Sequence, residues 1–323
     1  MKCLITGGCG FIGSHLAEKL LSENNEVFVI DDLSTGNLEN VSGMIKNERF
    51  HLFIDTILND VLLEELIEKS DFVFHLAAVV GVKRVMENPV DSVIINVEGT
   101  YKVLNYCARL KRKILLASTS EVYGKNDKIP FTEDADIIIG NTKKKRWSYA
   151  CAKAIDEFLA FAFFEEKKLP VIIVRLFNTV GPRQSERYGM VIPRFVSQAL
   201  NNSPITVFGT GTQTRCFIHV ADVINAIISL IGKEAAYGDV FNIGSSDEIA
   251  IKDLAEKIID ITGSSSNILF VNPTDVYKTG FEDMDRRMPD TSKIKNLIGF
   301  RIKNTMDDIL KDCIKDMSKK KNV

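Results

Sequence analysis

A short apolar run at residues 2–6 leads directly into Gly7-Gly8-Cys9-Gly10-Phe11-Ile12-Gly13 and then into a helical pattern over residues 14–21. Strand, glycine turn and helix in that order constrain the fold more than any other stretch, because each glycine has its own task. Gly7 allows the tight turn, Gly10 lets backbone amides approach a pyrophosphate, and Gly13 lets the helix pack on the strand. The phosphates would lie at the positive end of the helix, beside Phe11 and Ile12. A purely structural glycine turn is the alternative, and the elements downstream of the motif decide between them.

Residues 27–30 predict a second strand, ending in Asp31-Asp32, 18 residues beyond Gly13. A carboxylate there accepts hydrogen bonds from adenosine ribose hydroxyls. No arginine comes directly after to meet a 2′-phosphate, which favours NAD over NADP. A third strand, residues 49–53, ends near Asp55-Thr56; Asp55 either reaches the adenine amine or caps the helix beginning near Asn59-Asp60. A fourth strand runs into Leu76-Ala77-Ala78, where small side chains at a strand's carboxyl end suit close approach of a cofactor ribose. His75 reads as a satisfied buried histidine, and Asn96 as a brace for the neighbouring strand.

A fifth strand, residues 113–117, opens onto Ser118-Thr119-Ser120-Glu121-Val122-Tyr123-Gly124, which places hydroxyls and a carboxylate where ligands bind a parallel sheet. Capping and turn chemistry is the bland reading of that stretch. The helix expected over residues 148–168 carries Tyr149 and Lys153 on one face. A lysine charge beside a tyrosine lowers the phenol's pKa and makes it a general base. The spacing alone is common; its position after the hydroxyl-rich strand end gives it weight.

With a sixth strand at 171–176, the alternation predicts an α/β fold: a Rossmann-type doubly wound parallel sheet with a smaller C-terminal α/β substrate-binding lobe. The NAD-binding part is expected over residues 1–177. The substrate lobe is expected over 178–323, unless part of that stretch returns to the first sheet. Its strands are expected at 205–208, 214–219, 240–243 and 267–271.

A net charge of -2 over 323 residues argues against a nucleic-acid protein that relies on broad attraction. The run Lys143-Lys144-Lys145-Arg146 reads as a solvated loop in preference to a partner-binding site. Six scattered cysteines and four histidines show no metal-ligand spacing, so no metal is expected and a reduced cytoplasmic setting fits. The first strand leaves no room for a signal peptide, and no apolar run reaches the roughly 20 residues of a membrane helix. The closing Lys319-Lys320-Lys321-Asn322-Val323 reads as a frayed tail.

Together these motifs resemble the extended short-chain dehydrogenase/reductases that act as nucleotide-sugar epimerases, dehydratases and decarboxylases. The resemblance spans nearly the whole chain. It rests on residues 6–13, 75–78, 118–124, 149–153, the Arg-Leu-Phe-Asn-Thr-Val-Gly-Pro-Arg stretch at 175–183, and 214–220. It implies tightly held NAD, and a UDP-sugar whose 4-hydroxyl proton goes to Tyr149 as hydride leaves C4. Lys153 would favour the phenolate, and Thr119 would hydrogen-bond the reacting oxygen. Asn178 resembles the family's substrate-loop asparagine, and Arg215 the arginine that pairs with the diphosphate.

The fate of the resulting 4-keto sugar is read from other positions. Dehydratases of this family place an acid where Ser120 stands, which disfavours that reaction. Residues 145–149 and 182–190 resemble sugar 4-epimerases, whose substrate pairs are UDP-glucose/UDP-galactose or UDP-glucuronate/UDP-galacturonate, and 4-epimerisation is the first expectation. There Arg183 or Arg187 would pin a C5 carboxylate, or each is a surface arginine. Thr119-Ser120-Glu121 and Arg287-Met288-Pro289-Asp290 instead resemble UDP-glucuronate decarboxylases, the alternative. A scaffold that binds NAD without turnover would need neither Tyr149 nor Lys153. The family also implies a homodimer through two helices per subunit; the apolar stripes at 101–110 and 155–164 suit that, or are simply core.

Overall fold

The computed structural model describes residues 1–81, 88–186, 190–272 and 286–321. Its centre is a seven-stranded parallel sheet. Six strands come in chain order: β1 (Lys2–Thr6), β2 (Glu26–Asp31), β3 (Phe50–Ile54), β4 (Phe72–His75), β5 (Lys113–Thr119) and β6 (Val171–Leu176). The inner strands are apolar on both faces, with Cys3, Leu4, Ile5, Ile172 and Ile173 fully buried. That pattern is what a parallel sheet covered by helices on both sides requires.

The spatial order β3-β2-β1-β4-β5-β6 reverses direction between β1 and β4. Loops at the carboxyl ends of those two strands diverge and open a crevice, the ligand position of doubly wound folds. Helices Phe11–Ser22 and Val220–Ile231 bury one face of the sheet, while Asp60–Glu68, Pro89–Arg109 and Trp147–Lys167 bury the other.

After Leu176 the short strands are β7 (Thr179–Val180), β8 (Ile205–Phe208), β9 (Thr214–Cys216) and β10 (Ile218–His219), then β11 (Asp239–Ile243), β12 (Glu248–Ala250) and β13 (Ile268–Val271). β11 pairs with β6 and becomes the seventh strand of the large sheet, so the chain does cross back after Asn178. The single strand expected at 214–219 is two: β9 pairs antiparallel with β12, and β10 pairs parallel with β7. The break at Phe217 sends the two halves to different neighbours.

A separate core forms where helices Val191–Leu200, Ile251–Thr262 and Met306–Lys321 meet β8 and β13. The last helix continues through Lys321, which corrects the frayed tail for residues 319–321; Asn322 and Val323 lie outside the described residues. Lys321 Nζ donates to the Leu200 carbonyl at 2.9 Å, and Lys320 pairs with Asp316 at 2.9 Å. Positive side chains in a final turn also suit the helix dipole.

The helices Pro89–Arg109 and Trp147–Lys167 pack on one another and divide their apolar residues. Val103, Leu104 and Ala160 are core, while Tyr101, Ile155 and Phe158 face outward, Phe158 with 69% of its surface exposed. Among the described residues no helix is long and apolar enough to cross a membrane.

Candidate active site

β5 runs two residues further than its apolar run suggests, because Ser118 and Thr119 still pair with Arg175 and Leu176 of β6. Thr119 therefore ends the strand, and its hydroxyl accepts the Glu121 amide at 3.2 Å to open the short turn Ser120–Tyr123. Helix Trp147–Lys167 starts beside that turn and puts Tyr149 in its first turn, where Thr119 hydrogen-bonds the phenol. Tyr149, Thr119, Ser120 and Glu121 all face one cleft of about 1030 Å³.

The phenol is shifted upward in this arrangement. Its pKa is raised, first by burial and then by the Glu121 charge, with Thr119 opposing and Asp156 adding to the rise. Lys153 is 2% exposed and donates to Asp156 at 2.9 Å. The reason is local: Asp156 lies three residues along the same helix face and is closer to the ammonium's reach than solvent is.

Arginines converge on the Glu121 carboxylate. Arg287 Nη1 lies 2.7 Å from one oxygen and Arg146 Nη2 lies 3.3 Å from the other. Burial pushes the Glu121 carboxyl up, but Arg287, Arg146 and Arg215 outweigh it and hold the group below the usual carboxylate range. Arg146 is 6% exposed, so the basic run is not solvated at its last member, and the expectation for that residue is corrected. It stands at the N-terminal boundary of helix Trp147–Lys167, three residues before Tyr149, a position that spacing could have flagged.

Arg287 is held from behind by backbone pairing. The Phe131 amide donates to the Met288 carbonyl at 2.8 Å, and the Asp290 amide to the Phe131 carbonyl at 2.8 Å. A chain segment distant in sequence thus closes the reaction end of the cleft.

The other end is a cradle of glycines. A Cβ on Gly13 would meet the Gly7 carbonyl oxygen at 2.3 Å, and one on Gly7, at φ +74°, would meet the Ala77 backbone at 2.9 Å. Helix Phe11–Ser22 begins at Gly10 without a capping side chain and without an acid in its first turn, and Gly10, Phe11, Ile12 and Gly13 line the cleft. Asp31 is pinned by the Cys9 and Leu33 amides, both at 2.9 Å, while Asp32 is exposed at the rim. Leu76, Ala77 and Ala78 line the same wall. These donors, carboxylates and small residues fit a pyrophosphate flanked by a ribose, as NAD presents.

Asp55 does not cap helix Asp60–Glu68, whose cap is Asn59; its oxygens accept the Thr56 amide at 2.7 Å and the Asn59 side chain at 2.8 Å, and both Asp55 and Thr56 line the cleft. Asn96 braces Val79 through both amide atoms. His75 sits between Thr6 at 2.7 Å and Thr100 at 3.1 Å, with its pKa lowered to about 3 by burial and then by the Lys153 charge; it is neutral.

Asn178 lines the cleft and donates to the Cys216 carbonyl at 2.8 Å. Arg215 donates to the Thr214 carbonyl at 2.8 Å and adds its charge to the Glu121 cluster. Arg183 borders the cleft, but its guanidinium pairs with Glu18 at 2.7 Å and its amide with Asp316 at 3.1 Å. It is thereby tied to the first helix instead of joining Glu121. Arg187 lies outside the described residues.

Sequence reasoning also missed a buried polar network behind the site. Glu157 accepts from Ser118 and from Arg175, the latter at 2.7 Å; Arg175 also donates to the Tyr123 hydroxyl at 3.0 Å. It ties helix Trp147–Lys167 to β5 and β6.

With this geometry in place, the chain matches the GDP-mannose 4,6 dehydratase family over residues 4–313. The chain belongs to that family. Its relatives include a UDP-N-acetyl-alpha-D-glucosaminuronate decarboxylase of Bacillus cytotoxicus, 41% identical over 97% of this chain and 96% of that one. UDP-glucuronic acid decarboxylase 1 of Xenopus tropicalis is 34% identical over 93% of this chain and 68% of its own. Among solved structures, UDP-glucuronic acid 4-epimerase from Bacillus cereus, in complex with UDP-glucuronic acid and NAD, superposes with a TM-score of 0.88 at 30% identity, covering 99% of each chain. The relatives' printed names thus include both decarboxylases and a 4-epimerase.

Proposed function

We infer that the protein is an NAD-dependent decarboxylase of a UDP-hexuronate, either UDP-glucuronate or its 2-acetamido counterpart. The observation that carries this reading is the Arg287–Glu121 pair at 2.7 Å, set next to Thr119 and Tyr149. The decarboxylase relatives at 41% and 34% identity support it over the 4-epimerase expected first. Of the two arginines on which carboxylate pinning by an epimerase would rest, Arg183 is engaged by Glu18 and Arg187 lies outside the described residues.

NAD, when bound, accepts the C4 hydride and returns it after the carbon skeleton has changed. Tyr149 takes the 4-hydroxyl proton, and Thr119 steadies the oxygen. The product is a β-keto acid. Its C5–C6 bond breaks, the bonding electrons enter the C4 carbonyl, and carbon dioxide leaves; Tyr149 and Thr119 donate hydrogen bonds to the enolate oxygen. C5 then takes a proton from water.

Arg287 orients the carboxylate during these steps. A free guanidinium would bind the carboxylate in the ground state and lose that interaction as neutral carbon dioxide forms. One already shared with Glu121 orients it with less of that penalty.

The test is incubation of the purified protein with NAD and each UDP-uronate. Carbon dioxide release with a UDP-pentose product is expected from at least one; UDP-galacturonate without carbon dioxide would restore the epimerase, and no turnover of either would remove the substrate assignment. The second part of the proposal is a homodimer through the outward face of Tyr101, Ile155 and Phe158. Sedimentation velocity is expected to give a dimer that Phe158→Glu converts to monomer; a monomeric wild type excludes it.

A further inference from the structure

The catalytic lysine has a buried partner that the chemistry above does not use. Lys153 and Asp156 lie 2.9 Å apart at 2% and 0% exposure, on one face of helix Trp147–Lys167. Buried ion pairs are poor stabilisers, since desolvating two charges costs about as much as their attraction returns. A pair this deep beside a general base calls for a different explanation.

Its surroundings are charged or hydrogen-bonding on every packed side. Glu121 and Thr119 face Tyr149 from the end of β5, with Arg287, Arg146 and Arg215 behind Glu121. Thr100, from helix Pro89–Arg109, faces Asp156 and also bonds His75, which itself feels the Lys153 charge. Glu157 comes next to Asp156 in the chain but is committed to Arg175 and Ser118. Asp156 is thus the carboxylate that engages the ammonium, and it also adds negative charge at the phenol.

We propose that Asp156 is a positioning residue that engages the Lys153 ammonium and so sets the pH at which the Tyr149 phenol gives up its proton and can act as a base. This rests on Tyr149 being the base. Charge at Asp156 raises the pH at which phenolate forms; a stronger base results, available over a narrower range. Replacing Asp156 by a neutral residue removes one negative charge and frees one positive charge, and both changes favour phenolate.

The NAD-loaded protein labelled with [13Cζ]tyrosine, its Tyr149 resonance assigned with Tyr149→Phe, reads this directly. In Asp156→Asn the titration midpoint is expected about one pH unit lower than in wild type, with the acid limb of kcat/KM on the UDP-uronate moving by the same amount. Asp156→Glu is expected to restore both. Asp156→Ser is the second neutral variant should the amide fail to fold. An unmoved midpoint in a folded neutral variant overturns the proposal, whatever its rate. Full activity in Tyr149→Phe would instead overturn the base assignment, and the two failures are separate.

Discussion

Tyr149→Phe is expected to lower kcat by about 10³-fold or more while the protein keeps NAD, since positioned acid–base groups contribute roughly 10²–10⁴-fold. In the proposed reaction the phenol acts twice, taking the 4-hydroxyl proton and later holding the enolate oxygen, which places the loss at the upper end. Phenylalanine keeps the ring and removes only the hydroxyl that meets Thr119, so the fold and the glycine cradle are left alone. Rapid-mixing absorbance of the reduced cofactor and a separate NAD-binding titration check the two halves of this expectation. Turnover within a few-fold of wild type would show that another group takes the proton.

The second large effect is expected from Arg287→Met, which keeps the length of the side chain and removes its charge. Truncating one partner of a buried charge pair costs about 2–5 kcal/mol, or roughly 30- to several-thousand-fold in carbon dioxide release. Burial already opposes the Glu121 charge, and with Arg287 gone only Arg146 and Arg215 answer it. The Glu121 carboxyl, held low in the wild type, therefore takes up a proton at a higher pH in the variant. Stability drawn from its low pKa is present above the unfolded carboxylate value and lost as pH falls through the folded one, and in the variant this loss begins at higher pH. Hydride transfer, which needs Tyr149 and Thr119, is expected to persist. The diagnostic result is reduced cofactor forming without carbon dioxide; undiminished carbon dioxide release would remove Arg287 from the reaction.

Much of the fold was readable because its signals are local. Gly7, Gly10 and Gly13 act within one turn of chain, and the strand–helix alternation through Leu176 repeats rules that operate over a few residues. The same holds for Tyr149 on its helix, Thr119 at the end of its strand, and the Asn96 brace, since each is placed by a single element and its neighbour. Lys153 is the instructive exception. Spacing put it on the face of Tyr149, yet Asp156 shares that face three residues on and takes the ammonium, a competition between two local partners that burial resolves.

The sequence by itself determined the doubly wound sheet, the dinucleotide cradle and the pair Thr119 and Tyr149, because backbone geometry and side-chain period act at short range. Only the tertiary structure decided that Arg287 meets Glu121, that Arg146 leaves a basic run to join them, that Arg183 is spent on Glu18, and that β11 returns to the first sheet. Each of those depends on which distant segments pack together and which charges lose their water in doing so. A one-dimensional pattern does not contain that information until the chain has folded.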